Sequence, residues 1–185
     1  MPQGLYSFGK HVYPNQVETE GITNITLEDV SYIENAGGVI KLLGQIKYIN
    51  DNEIAAFVSP AVVYNGSQLA SVKDVFNAIL VRGDAVGDVC FYGPGAGKLP
   101  TASAVVADII DCAKHSERKK IFGWGAGNED YVVDYKERIE MPFYVRAKAT
   151  PAEINAKFSD VKFLSRKGQP SDEVAFITDI MTENK

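Results

Sequence analysis

The spacing of apolar residues divides the chain into helices and strands before any residue is given a role. Leu27, Val30 and Ile33 recur every third position behind Thr26 and Asp29. This T-x-x-D pattern predicts a capping box at a helix start, and Gly37 or Gly38 predicts its end. Ile40, Leu42, Gly44, Ile46 and Tyr48 then alternate with Lys41, Leu43, Gln45 and Lys47. One mostly apolar and one mostly polar face at period two is the pattern of a half-buried antiparallel strand. Asp51-Asn52 signals a turn, and a second strand is expected over 53–64, with Pro60 implying an edge, a bulge or a break. Third and fourth strands are expected over 72–82 and 87–92, joined in hairpin fashion at Gly83-Asp84-Ala85.

Beyond Gly93-Pro94-Gly95-Ala96-Gly97 a helix is predicted over 100–115, with Pro100 in its first turn. Its residues Val105, Val106, Ile109, Ile110 and Ala113 form a broad apolar face suited to covering a sheet. The succession predicts an α+β fold: an antiparallel or mixed sheet covered by helices on one face. Residues 116–140, with a second glycine cluster at 123–127, read as a polar connector. A second unit begins at Met141, with strands over 143–149, 161–165 and 174–180 and a short helix capped by Thr150-Pro151-Ala152-Glu153. The expected division is therefore 1–120, a linker over 121–140, and 141–185.

Composition narrows the classes. A chain of 185 residues that is 45% hydrophobic and 23% charged has the make-up of one core with a small annex. No apolar run approaches the roughly 20 residues that cross a bilayer, and residues 1–10 lack a leader-like pattern, so a cytoplasmic protein without a membrane partner is expected. With 19 basic against 24 acidic side chains, nucleic acid is not an expected partner. The deficit is confined to residues 1–140, which carry 12 basic and 18 acidic groups against 7 and 6 beyond, and this supports a boundary near 140. Cys90 and Cys112 read as reduced core thiols, and with only His11 and His115 beside them no metal site is expected. Glu18 with Glu20 and Asp84 with Asp88 read as surface or turn carboxylates, and Asn77 as a hydrogen-bonded core amide.

Gly93 to Thr101 asks for a chemical explanation. Three glycines between a strand and a helix start let backbone N–H groups approach a ligand closely. Lys98 stands where a dinucleotide fingerprint needs glycine, and Tyr92 and Leu99 break the Walker pattern, so both named phosphate motifs fail. From spacing alone two readings stand, a tight strand-to-helix turn and a ligand contact.

Taken in order, Glu20-Gly21-Ile22-Thr23, Ile40-Lys41-Leu42-Leu43-Gly44, Val75-Phe76-Asn77-Ala78-Ile79, Gly83-Asp84-x-Val86-Gly87, Phe91-Tyr92-Gly93-Pro94-Gly95-Ala96-Gly97 and Pro100-Thr101-Ala102-Ser103-Ala104-Val105-Val106-x-Asp108-Ile109 closely resemble the catalytic domain of homoserine dehydrogenases. The resemblance covers about residues 5 to 115. It implies NAD(P)-dependent interconversion of aspartate-4-semialdehyde and homoserine in threonine, methionine and isoleucine biosynthesis, by an enzyme that is a homodimer or higher oligomer. It also implies that Gly97, with Gly95 and Thr101 near it, meets NADP or NAD close to the nicotinamide.

Residues 141–185 resemble the first part of an ACT domain, an incomplete ferredoxin-like β-α-β-β unit. In homoserine dehydrogenases a separate Rossmann domain binds the dinucleotide and a lysine assists proton transfer at oxygen. No residue here matches that domain or that lysine, so no catalytic residue is assigned. The chain is expected to be a C-terminal piece, inactive alone. The alternative is a non-catalytic oligomerisation or regulatory module.

Overall fold

The computed structural model describes residues 5–7, 9–117 and 125–184, with side chains from residue 9 onward. It begins with short strands β1 (Leu5–Ser7), β2 (Lys10–Val12) and β3 (Glu18–Thr19). Helix α1 (Leu27–Asn35) follows, then the long strands β4 (Gly38–Asn50) and β5 (Glu53–Tyr64). Next come β6 (Phe76–Gly83), β7 (Gly87–Pro94) and helix α2 (Lys98–Lys114). The last third holds α3 (Tyr135–Arg138), β8 (Tyr144–Lys148), α4 (Pro151–Asn155), β9 (Val161–Leu164) and β10 (Glu173–Thr178). The described residues fall into two compact units, residues 5–64 with 125–184, and residues 65–117.

In the first unit β4 and β5 pair antiparallel over nearly their whole length, and β3 adds in parallel through Glu18 and Thr19 opposite Phe57 and Val58. Pro60 lies just past the stretch that β3 pairs, where its missing N–H breaks no contact with β3. Both faces of this sheet are packed, whereas helices on one face were expected. Ile40 and Val62 meet Ile33 and Tyr32 of α1, while Ala55 and Phe57 meet Tyr135 and Ile139 of α3. Phe57 and Tyr135 stack with centroids 4.1 Å apart.

Along most of β4, though not at Ile40, the more covered side is the one expected to be polar. Lys41, Gln45 and Lys47 lie on the half-buried side, and Leu42 (48% exposed), Ile46 (45%) and Tyr48 (53%) face outward. Lysine and glutamine stems can lie along apolar surface while their polar ends stay wet, so the polar face tolerates this cover.

The segment that composition read as a polar connector also takes part in the core. Residues 118–124 lie outside the described residues, but Tyr131, Tyr135 and Ile139 beyond them are buried. Tyr131 joins Val12, Ile54 and Ala56 in one apolar cluster. Gly127 is required there, because a Cβ at that position would collide with the His11 carbonyl. The second glycine cluster is therefore packed at its described end, where the Gly125 amide donates to the Gly9 carbonyl at 2.7 Å.

Strand β10 pairs antiparallel with β8 on one side and β9 on the other. Because α4 carries the chain from β8 to β9 and β10 inserts between them, this is a split β-α-β arrangement. Ile154 of α4 packs with Val174, Phe176 and Val145 on one face. Ala175, Leu164, Tyr144 and Ile177 on the other face meet Tyr32 and Ile33 of α1. The Thr150–Glu153 capping box that starts α4 forms as its sequence predicts.

A polar knot accompanies that second contact. Asp29 closes the capping box by accepting from the Thr26 backbone N–H at 2.9 Å. Its other oxygen accepts from Arg146 Nε at 2.7 Å and from the Tyr144 hydroxyl at 2.9 Å. Arg146 Nη1 reaches Glu173 at 2.9 Å, and Glu173 also accepts from Arg166 and from the Tyr32 hydroxyl. Burial works to raise the Asp29 carboxyl, but Arg146, the Thr26 backbone and Tyr144 outweigh it and hold it below the usual range. Burial likewise opposes ionisation of Glu173, and Arg166, Arg146 and Tyr32 overcome it.

The second unit is built differently. β6 and β7 form a two-stranded sheet of their own, so the four long strands do not make up the single sheet expected. No residue of α2 is buried, and Val105, Val106, Ile109 and Ile110, expected to cover a sheet, are exposed. Cys112 is exposed on the same helix and Cys90 is half-buried, so neither is the core thiol that its apolar neighbours suggested. A two-stranded hairpin with one helix has too little apolar surface to enclose these side chains.

Both knot carboxyls lie below their ordinary values of 3.8 and 4.5, so they stabilise the fold above that range. Their contribution is lost as pH falls through the lowered native values. Asp29→Ala should cost about 3 kcal/mol at pH 7 in urea unfolding, through a broken ion pair and a lost cap. Asp29→Asn should flatten the loss of stability as pH falls below the ordinary carboxyl value of 3.8. Equal urea midpoints for Asp29→Ala and the unchanged chain at pH 7 would contradict the account.

Candidate functional site

The glycine turn occupies the end of β7 and the start of α2. Gly97 takes the N-cap position of α2 with φ +117° and ψ 158°, a region essentially confined to glycine. Its carbonyl accepts from the Thr101 N–H at 3.1 Å, the first bond of the helix. No side chain caps that helix start. The N–H groups of Lys98 and Leu99 therefore precede the first intrahelical bond, and Pro100 has none to offer.

Gly95 is fixed by a different contact. A Cβ there would fall on the Asn77 carboxamide, so that side chain lies directly against the glycine. The three expected contact residues Gly95, Gly97 and Thr101 thus share one exposed turn, and Gly97 and Thr101 are joined by a hydrogen bond. The Asn77 side chain is exposed and forms no hydrogen bond among the described residues, in contrast to the core amide its apolar neighbours predicted.

The acidic pairs noted in the sequence do not act as pairs. Asp88 is held by Arg82 across the hairpin through two bonds of 2.6 and 2.9 Å, and the guanidinium lowers its pKa. Asp84 instead accepts from the Ala85 N–H in the turn. Glu20 parts from Glu18 and pairs with Lys136 at 2.9 Å, while Lys136 also approaches Glu183 at 3.6 Å.

That second cluster rims a cleft of about 720 Å³ in the first unit. Its walls include Ile40, Val62, Met141, Phe143 and Ile177, and Glu20, Tyr135 and Glu183 are its acidic and phenolic edge. Burial, with Glu183 and Glu20 beside it, pushes the Tyr135 hydroxyl up, so it remains a hydrogen-bond donor at neutral pH. The Lys136 contact holds Glu20 below its usual value. Neither group is poised to exchange a proton near neutrality. Sequence reasoning missed Lys136 because its partner lies more than a hundred residues away, with no local pattern linking them. Among the described residues no group of three or more His, Cys, Asp or Glu could hold a metal ion. Nor is any helix there long and apolar enough to cross a membrane.

Comparison with known proteins gives one consistent result. The family model described as homoserine dehydrogenase matches residues 5–110. Homoserine dehydrogenase of Lactococcus lactis is 38% identical over 112 residues, 60% of this chain and 26% of that protein. The enzyme of Neisseria gonorrhoeae is 43% identical over 108 residues, 58% and 25% of the two chains. The solved homoserine dehydrogenase of Thiobacillus denitrificans superposes with a TM-score of 0.68 at 31% identity, covering 92% of this chain and 42% of that one. One structure of the S. aureus enzyme, at pH 7.5, reaches 0.73 at 29% identity, covering 95% and 44%. The chain thus matches about a quarter of the length of these curated relatives and less than half of the solved structures.

The Gly97 backbone predicts its own test. Gly97→Ala should cost about 1–3 kcal/mol of local stability through the forced φ, seen as faster amide exchange in α2. Gly93→Ala, with open space around the added carbon, should leave exchange unchanged. Equal exchange in both variants would contradict the assigned backbone.

Proposed function

Because the chain belongs to the homoserine dehydrogenase family, we propose that it supplies substrate-domain structure to an NAD(P)-dependent oxidoreductase of amino-acid biosynthesis. The reaction is the interconversion of L-aspartate-4-semialdehyde and L-homoserine. NAD(P) supplies hydride chemistry at the semialdehyde carbonyl carbon when bound. This chain's part is to present the glycine turn, Gly95, Gly97 and Thr101, to the nicotinamide end of the cofactor. The exposed turn supports that role: two glycines without side chains leave the backbone open, and Lys98 and Leu99 bring N–H groups that no capping side chain satisfies. No lysine here is assigned the proton-transfer role, and the 185 residues alone are expected to be inactive.

A second role, self-association, draws on the outward stripe of Leu42, Ile46 and Tyr48. Three large apolar side chains on one strand face favour a matching copy over water. Residues 141–185, with their split β-α-β order, add an ACT-like contact in the same reading.

Replacing the matching segment of Lactococcus lactis homoserine dehydrogenase by residues 5–110 should keep homoserine oxidation within roughly tenfold, about 1.4 kcal/mol of barrier. The 185-residue chain alone should show none. A folded but inactive chimera would overturn the catalytic reading, and turnover by the chain alone would overturn its dependence on other residues. Sedimentation should show a dimer that Leu42→Glu with Ile46→Glu dissociates; a monomer at every concentration would exclude the association.

A further inference from the structure

Asn77 occupies an unusual position for an asparagine. Strand alternation puts it on the same face of the hairpin as Ile79 and Phe91, and both are exposed (66% and 63%). Its direct partner across the hairpin is Gly93, which has no side chain to compete for the space. On the turn side, Gly95 also lacks the Cβ that would strike the carboxamide. Gly95 thus makes room for one amide on an otherwise apolar surface.

The amide is also uncommitted. Asn35 donates to the Ser165 carbonyl at 2.8 Å and Asn50 donates to Glu53 at 2.8 Å. Asn77 makes no such bond among the described residues, and its carbonyl oxygen and N–H groups remain available. A flat heteroaromatic ring bearing a primary carboxamide is complementary to this surface. The ring covers Ile79 and Phe91, and the carboxamide exchanges a donor and an acceptor with Asn77.

We propose that Asn77, on β6 beside the glycine turn, is a ligand-binding residue that recognises the carboxamide of the nicotinamide ring, which rests on the reading that Gly95 and Gly97 meet that end of the cofactor. A carboxylate in place of the carboxamide offers no donor, so Asn77 discriminates nicotinamide from nicotinic acid. The pairing is one of selection and orientation and involves no proton transfer.

The test uses the isotopically labelled 185-residue chain titrated with nicotinamide mononucleotide, and separately with nicotinic acid mononucleotide, at millimolar concentrations. The Asn77 side-chain NH2 signal and the Gly97 amide should shift together with the first ligand. The second should bind about tenfold more weakly. Asn77→Ala should abolish that preference with the spectrum otherwise intact, and Asn77→Gln should restore part of it. Shifts at Gly95 and Gly97 without a shift at Asn77, or an unchanged preference in Asn77→Ala, would overturn the role of Asn77 while leaving the glycine turn as the contact. If no signal in the turn responds to either ligand, the reading of the turn itself fails and the proposal fails with it.

Discussion

The first unit depends on the Arg146 guanidinium lying between Asp29 and Glu173. A helix of nine residues is too short to hold its own shape in water, so α1 relies on what it packs against. Tyr32 and Ile33 give it an apolar side shared by β4–β5 and by the split sheet. Asp29 lies three and four residues before them, on the same side of the helix. The buried carboxylate is tolerable because Arg146, Tyr144 and the Thr26 backbone satisfy it, and its removal would leave Arg146 with one partner fewer. One residue thus caps the helix and ties it to β8.

The unit of residues 65–117 has no comparable centre. Its hairpin and helix expose most of their large apolar side chains, yet its turn is specified in detail. Gly97 adopts a backbone that other residues resist, and Gly95 leaves room for Asn77. This is the distribution expected when a surface is shaped for contact and its stability comes from elsewhere. The chain belongs to the homoserine dehydrogenase family, and in the proposed reading this surface is its cofactor contact.

Local patterns carried much of this into the sequence. The Thr26–Asp29 and Thr150–Glu153 boxes, the alternation of β4, the hairpin at Gly83 to Ala85 and the glycine turn are each written within a few residues. What escaped was long-range. That Asp29 meets Arg146, or Glu20 meets Lys136, depends on pairings across more than a hundred residues that no spacing encodes. The sidedness of β4 was hidden for the same reason: its apolar face is evident, but which face α3 covers is decided by Tyr135 and Ile139. The residues over 125–140 look polar in bulk, and three buried side chains suffice to make them structural. Asn77 was misread because apolar neighbours in a strand signal burial only when something covers them.

The central claim is that α1 and its polar knot make the split sheet and the β4–β5 hairpin one cooperative unit. Native-state hydrogen exchange measures this directly. The amides of Ala175 and Phe176 in β10 and of Ala55 and Phe57 in β5 should open with the same free energy, and Arg146→Met should lower both together. Loss of protection confined to β8–β10, with β5 unchanged, would contradict it.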